Sequence, residues 1–209
     1  MSKIWAIAPY GKKAVGITYI MEGKKFNDVF QYDLKNNVIA IGAGSMRRPD
    51  GTFIDPSGLT IREIVSIIKK NHPEYSSNKS NGMAYVLWQI YNEVKDGDFI
   101  VAKSGLREIM AIGKVFAKNG KVLGFSVKTG LERTGNKYNP HPNFINVRWK
   151  EDHMRFGVDV FLRDRFGELR KMVVSKYYAK YGSVIEQRIK ELRGKDCIFD
   201  DIKNISHDK

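Results

Sequence analysis

Residues 109–127 read IMAIGKVFAKNGKVLGFSV. Two β-prone runs, Ile109–Phe116 and Lys121–Val127, flank Lys118-Asn119-Gly120. An Asn-Gly pair takes positive φ readily, which a two-residue turn between antiparallel strands needs, so the stretch predicts a hairpin. Gly113 and Gly124 lie within the runs, where glycine marks a bulge or the close approach of another chain. Outward from this hairpin, Phe99–Ala102 predicts a buried strand before it. Phe144–Trp149 predicts a closing strand after it. Lys3–Ala8 and Val38–Gly42 are short apolar runs of the same kind.

Helices are expected between these strands. Thr60-Ile61-Arg62-Glu63 has the spacing of a capping box. Ile61, Ile64, Val65 and Ile68 then mark one helical face, and His72-Pro73 stops it. After a polar turn at Ser76–Asn81, a second helix shows Ala84, Leu87, Trp88, Tyr91 and Val94 on its apolar side, ending at Gly97-Asp98. Ala43–Gly58 and Thr129–Asn143 read as long polar loops. Val158–Leu162 alternates like a strand, Ser175–Leu192 reads as a basic amphipathic helix, and Gly194–Lys209 has no periodicity. The class is α+β. Sequential antiparallel strands favour a small barrel or curled sheet over a doubly wound fold.

The chain has 209 residues, 42 % of them hydrophobic and 28 % charged, which is globular composition. Lys and Arg number 36 against 23 Asp and Glu, for a net charge of +13. Such a field attracts polyanions, nucleic acid first. The excess is uneven: residues 103–150 carry ten cations against Glu108 and Glu132. Phe116, Phe125, Tyr138 and Phe144 are interleaved with those cations. Lys and Arg neutralise phosphates and exposed aromatic rings stack bases, so the stretch holds both elements of nucleic-acid binding.

Catalytic patterns are missing. No Walker A sequence occurs, and Arg47 stands where a dinucleotide fingerprint after Gly42-Ala43-Gly44 needs its third glycine. His72, His141, His153 and His207 lack zinc-ligand spacing, and Cys197 is the only cysteine. Acidic-x-Lys triplets such as Asp33-Leu34-Lys35 and Glu93-Val94-Lys95 are what a metal-dependent nuclease would use, but chance supplies them in so charged a chain. The expectation is a non-enzyme with no cofactor and no metal. The apolar stretch Ile4–Pro9 is too short for a signal-peptide core and no run suits a membrane helix, so the cytoplasm is expected, without membrane partners.

Five short motifs, in order, carry a resemblance. Trp5-Ala6-Ile7-Ala8-Pro9 opens the chain. Val38-Ile39-Ala40-Ile41-Gly42 follows. Leu87–Val101 reads LWQIYNEVKDGDFIV, Ile109–Val115 contains Ile112-Gly113, and Val147-Arg148-Trp149 closes the set. Together they resemble EVE-type domains of the PUA-like group, related to YTH domains, over roughly residues 3–150. The resemblance implies a small curled β-barrel with flanking helices, to which the basic pattern of Ser175–Leu192 adds a helical C-terminal extension. Residues 1–150 would be the nucleic-acid-binding domain and 151–193 a strand and basic helix packed on it. Residues 194–209 would be a tail or linker. Such domains often bind nucleic acid, in several cases flipping a modified base into an aromatic pocket. Similar domains target McrB-like restriction systems, which implies a nucleotide-hydrolysing motor and a nuclease subunit as partners. DNA is favoured over RNA; a PUA-like RNA-binding protein is the alternative.

By position, the resemblance puts Tyr10, Ser45, Met46, Trp88 and Tyr138 at the base pocket. Ala43 stands where the family usually has a tryptophan wall, with Met46 or Tyr138 as its replacement. Lys12, Lys13, Arg47, Arg48, Arg133 and Lys137, on loops at the same mouth, are the expected phosphate contacts.

Overall fold

The computed structural model describes residues 4–7, 26–41, 46–104, 108–137, 139–149, 156–157 and 174–177. They form a mixed α+β fold of four helices and one open sheet. In chain order the elements are β1 (Ile4–Ile7), α1 (Phe26–Lys35), β2 (Val38–Ile41), α2 (Ile61–Asn71), α3 (Ser77–Glu93) and β3 (Phe99–Ser104). There follow β4 (Glu108–Val115), β5 (Leu123–Phe125), α4 (Val127–Thr134), β6 (Asn143–Trp149), β7 (Phe156–Gly157) and β8 (Val174–Tyr177).

The strand order is β2-β6-β4-β3-β1-β8, with β5 on β6 and β7 on β4. All pairings are antiparallel except β1 with β3. That parallel pair follows from the α1–β2–α2–α3 excursion, which carries the chain back so that β3 starts at the same end as β1. Among the described residues nothing joins β2 to β8, so the sheet stands open. Strands β7 and β8 extend the same sheet beyond residue 150.

The predicted hairpin is corrected in an instructive way. β4 and β5 do not pair with each other. Both pair with β6, one after the other: Gly113↔Trp149 to Val115↔Val147, then Leu123↔Ile145 to Phe125↔Asn143. The Asn-Gly turn is an excursion from a single strand path, closed by the Lys118↔Lys121 bridge. Asn119 and Gly120 both take positive φ, at 52° and 74°, as the turn chemistry requires. Asn146 faces the gap: its carbonyl accepts from Phe116 N–H (3.2 Å), its N–H donates to Val122 O (2.9 Å), and its side chain donates to Lys121 O (3.0 Å).

Helix α2 starts at the expected capping box. Glu63 N–H donates to Thr60 Oγ1 at 3.3 Å, and Thr60 N–H to Glu63 Oε2 at 2.8 Å. Helix α3 begins earlier than expected, because Ser76 caps it and the polar run Ser77–Asn81 is its first turn. Helix α1 was not anticipated, although Val29, Phe30, Asp33 and Leu34 form a buried stripe. Helix α4 occupies most of the first half of the stretch expected to be a loop at Thr129–Asn143. Within the other expected loop, residues 46–54 form a small hairpin: Arg48 N–H donates to Thr52 O (2.8 Å) and Gly51 N–H to Arg48 O (2.9 Å) around Pro49 and Asp50. Ser175–Tyr177 lies in β8, not in a helix. The remainder of that helix, Val158–Leu162 and Gly194–Lys209 lie outside the described residues.

The core gathers on one face of the sheet. Trp5, Ile7, Ile39, Ile100, Met110, Ile145 and Val147 meet Ile64, Ile68, Leu87 and Ile90 of α2 and α3 there. Trp5, fully buried, also fixes the α3–β3 turn: its indole N–H donates to Asp98 Oδ2 at 2.8 Å. That carboxylate accepts Lys95 N–H as well, at 3.0 Å, which ties Trp5 to the start of the turn.

Candidate nucleic-acid interface

Two surfaces concentrate cations. The first is built by Arg47. Its backbone is gripped by the last residue of α2: Arg47 N–H donates to Asn71 Oδ1 (2.7 Å), and Asn71 Nδ2 donates to Arg47 O (2.9 Å). Its guanidinium lies over the Phe53 ring, 3.9 Å from the centroid, and donates to Gly51 O (3.0 Å) and Lys137 O (3.2 Å). Arg47 therefore staples the 46–54 hairpin to the segment after α4. Its role is to position its neighbours, since its donors already serve carbonyl oxygens.

The neighbours are exposed. Arg48 is exposed and donates from its side chain to Thr52 Oγ1 at 3.4 Å, and Lys137 is exposed as well. Lys69 and Lys70, exposed in the last turn of α2, precede the Asn71 clamp. These two lysines and Asn71 were missed by the sequence reading, where a Lys pair before His-Pro signals only the favourable end of a helix dipole. Short side chain-to-backbone bonds shape the hairpin tip: Asp50 accepts from Thr52 N–H (2.9 Å) and Oγ1 (2.7 Å), which holds its carboxyl below the usual range.

Other expected site residues are elsewhere. Arg133 is not a phosphate contact. It is fully buried and makes a bidentate ion pair with Asp33, through Nε to Oδ1 and Nη2 to Oδ2 (2.8 Å). A cation on a helix facing a carboxylate in the stripe of α1 was pulled inward to pair with it, because neither charge is tolerated alone in a core. The same pair occupies Asp33, the carboxylate of one triplet considered for metal binding. Met46, 2 % exposed, belongs to the core and offers no wall to a base. Trp88 is half-buried against the core from α3. Tyr10, Lys12, Lys13, Ala43, Ser45 and Tyr138 lie outside the described residues.

The electrostatics inside are coupled. Burial pushes the Asp33 carboxyl up to about 6, against the opposing pull of Arg133. Burial, aided by the Arg133 charge, pushes His141 down to about 4. Tyr91, whose hydroxyl donates to Asn143 Oδ1 at 2.8 Å, is raised by burial.

The second cationic surface lies on the sheet face opposite the core. Lys114 of β4 and Arg148 of β6 are direct cross-strand partners. Arg148 places its guanidinium 5.4 Å from the Phe116 ring centroid. Beside them the excursion exposes Lys118 and Lys121.

No helix among the described residues is long and apolar enough to cross a membrane. No curated protein and no solved structure matches the chain. A family model does, over residues 18–158, which spans α1 to β7 and so both cationic surfaces. On that match the chain belongs to the family described as Domain of unknown function (DUF8426).

Proposed function

We propose that this domain is a nucleic-acid-binding module, with DNA as the first polymer to test and no chemistry of its own. The observation that carries the reading is the Arg47 staple, which gathers Arg48 and Lys137 at one mouth. A half-buried guanidinium spent on carbonyls and a ring makes sense as scaffolding for exposed cations next to it. The net charge of +13 supports the same partner class. The reading extends to the fold, with the open sheet as part of a curled EVE-type barrel. It extends to the setting, a cytoplasmic targeting domain for a restriction motor and nuclease. A flipped modified base would need its pocket from Trp88 and the residues around Tyr10, Ser45 and Tyr138, since Met46 is core.

The test is fluorescence-anisotropy titration against plain, N6-methyladenine and 5-methylcytosine duplexes, single-stranded DNA and RNA, at two salt concentrations. Binding to duplex DNA that weakens steeply with salt, and weakens further in Arg48→Gln/Lys137→Gln, is expected. Preference for one modified duplex would support the base-reading mechanism. Tighter RNA binding would move the assignment to a PUA-like RNA-binding protein. Absence of binding to every polymer would overturn the reading.

A further inference from the structure

We propose that the sheet face opposite the core, at the junction of β4, β5 and β6, binds single-stranded nucleic acid, stacking bases on Phe144 and Phe116 and holding phosphates with Lys114, Arg148, Lys118 and Lys121. The proposal rests on the nucleic-acid reading above but concerns a different surface from the Arg47 mouth.

The parity of the strands assigns the face. A Cβ at Gly113 would meet Val147 and Trp149, so Gly113 and Val115 of β4 and the odd positions of β6 look into the core. Lys114, Phe116, Phe144, Asn146 and Arg148 point the other way. Phe144 lies directly over Gly124: a Cβ there would run into its ring. The far end of the ring, Cε2 and Cζ, therefore lies over bare backbone, and the side chain is half-buried. A flat aromatic on a strand is the geometry on which a splayed base stacks. Phe116, also half-buried, is the second ring, with the Arg148 guanidinium above it.

Charge completes the surface. Residues 110–125 and 143–149 contain four cations and no carboxylate. Like charges directly opposite on a sheet repel, so the Lys114–Arg148 pairing has a cost that a bound phosphate removes. Asn146 holds the base of the excursion over this face through Lys121 O, which keeps Lys118 and Lys121 at its rim. On the side of β3 the face is closed, since Phe99, opposite Lys114, is buried.

The experiment is an NMR titration of the whole chain with eight-residue oligo-dT and oligo-rU, followed by anisotropy on Lys118→Glu/Lys121→Glu and Phe144→Leu. Shifts at Phe116, Asn119, Gly120, Phe144 and Arg148 are expected, with at least a tenfold loss of single-strand affinity in the charge reversal and roughly tenfold in Phe144→Leu. The charge reversal lies on an exposed turn and leaves the fold intact, so it decides the matter even if Phe144→Leu unfolds. Tighter oligo-rU than oligo-dT would identify RNA as the strand. Shifts confined to Arg48 and Lys137, with no effect of the reversal, would overturn this site and leave the mouth standing. If no oligonucleotide binds, the nucleic-acid reading falls too; inorganic tripolyphosphate then tests the cations alone, and unmoved Lys114 and Arg148 signals would end the proposal.

Discussion

Asp33 and Arg133 form a fully buried ion pair, one partner on α1 and one on α4. Removing one partner strands the other, which costs about 3–5 kcal/mol. Asp33→Ala should therefore destabilise strongly, while Asp33→Leu/Arg133→Met should recover much of the loss, as read by urea unfolding. A third group reports on the same centre. His141, lowered to about 4 from 6.5, refuses a proton in the folded state, so its contribution is complete above pH 6.5 and is lost as pH falls toward 4. Asp33, raised from 3.8 to about 6, works in the opposite sense: folded protein holds its proton longer, and stability from this group falls as pH rises through that window. The slopes oppose each other. His141 sits at φ 52°, which asparagine tolerates, so His141→Asn removes one slope without backbone strain. Relative to wild type, the variant should gain about 3 kcal/mol between pH 6.5 and pH 4, at ~1.36 kcal/mol per unit of pKa shift. Parallel stability curves for the two proteins would show that His141 titrates normally. None of this was legible beforehand. Arg133 sits in a run of cations that reads as surface, and Asp33 interrupts the stripe of α1, which hid the helix as well as its partner.

At the scale of elements, local signals and pairing separate cleanly. Capping at Thr60 and the positive φ values at Asn119 and Gly120 follow from side-chain chemistry within four residues, and both were readable. Strand partnership is not local. β4 and β5 find β6, 18 to 36 residues away, because its odd positions complete the core while Asn146 fills the gap left by the turn. The glycines now have different meanings. At Gly113 a Cβ would strike Val147, Arg148 O (2.9 Å) and Trp149, and backbone cannot yield. Gly113→Ala should cost about 1–3 kcal/mol or more. At Gly124 the obstacle is the tip of the Phe144 ring, which can swing away. Gly124→Ala should cost less in a matched thermal-unfolding comparison, while weakening single-strand binding by displacing the ring. Equal losses of stability would mean that Phe144 is locked in the core.

For the whole molecule the question is whether +13 acts as a diffuse field or through placed cations. Composition reveals the total but not its distribution, and Arg133, counted with the rest, lends nothing to the surface. A diffuse field would make every exposed cation equivalent. Placed contacts would not: each phosphate neutralised adds about 0.9 to the slope of log affinity against log salt on duplex DNA. Arg62 provides the control. It is exposed near the start of α2, nine residues before Asn71, so about 14 Å along the helix from the clamp on Arg47. That exceeds the ~8 Å Debye length at physiological salt. Arg48→Gln/Lys137→Gln should lower the slope by about 2. Arg62→Gln should leave it unchanged, although it removes a full charge from the same total. Equal effects per charge at both places would mean that the field alone attracts the polymer, and the mouth organised by Arg47 would lose its role as a binding site.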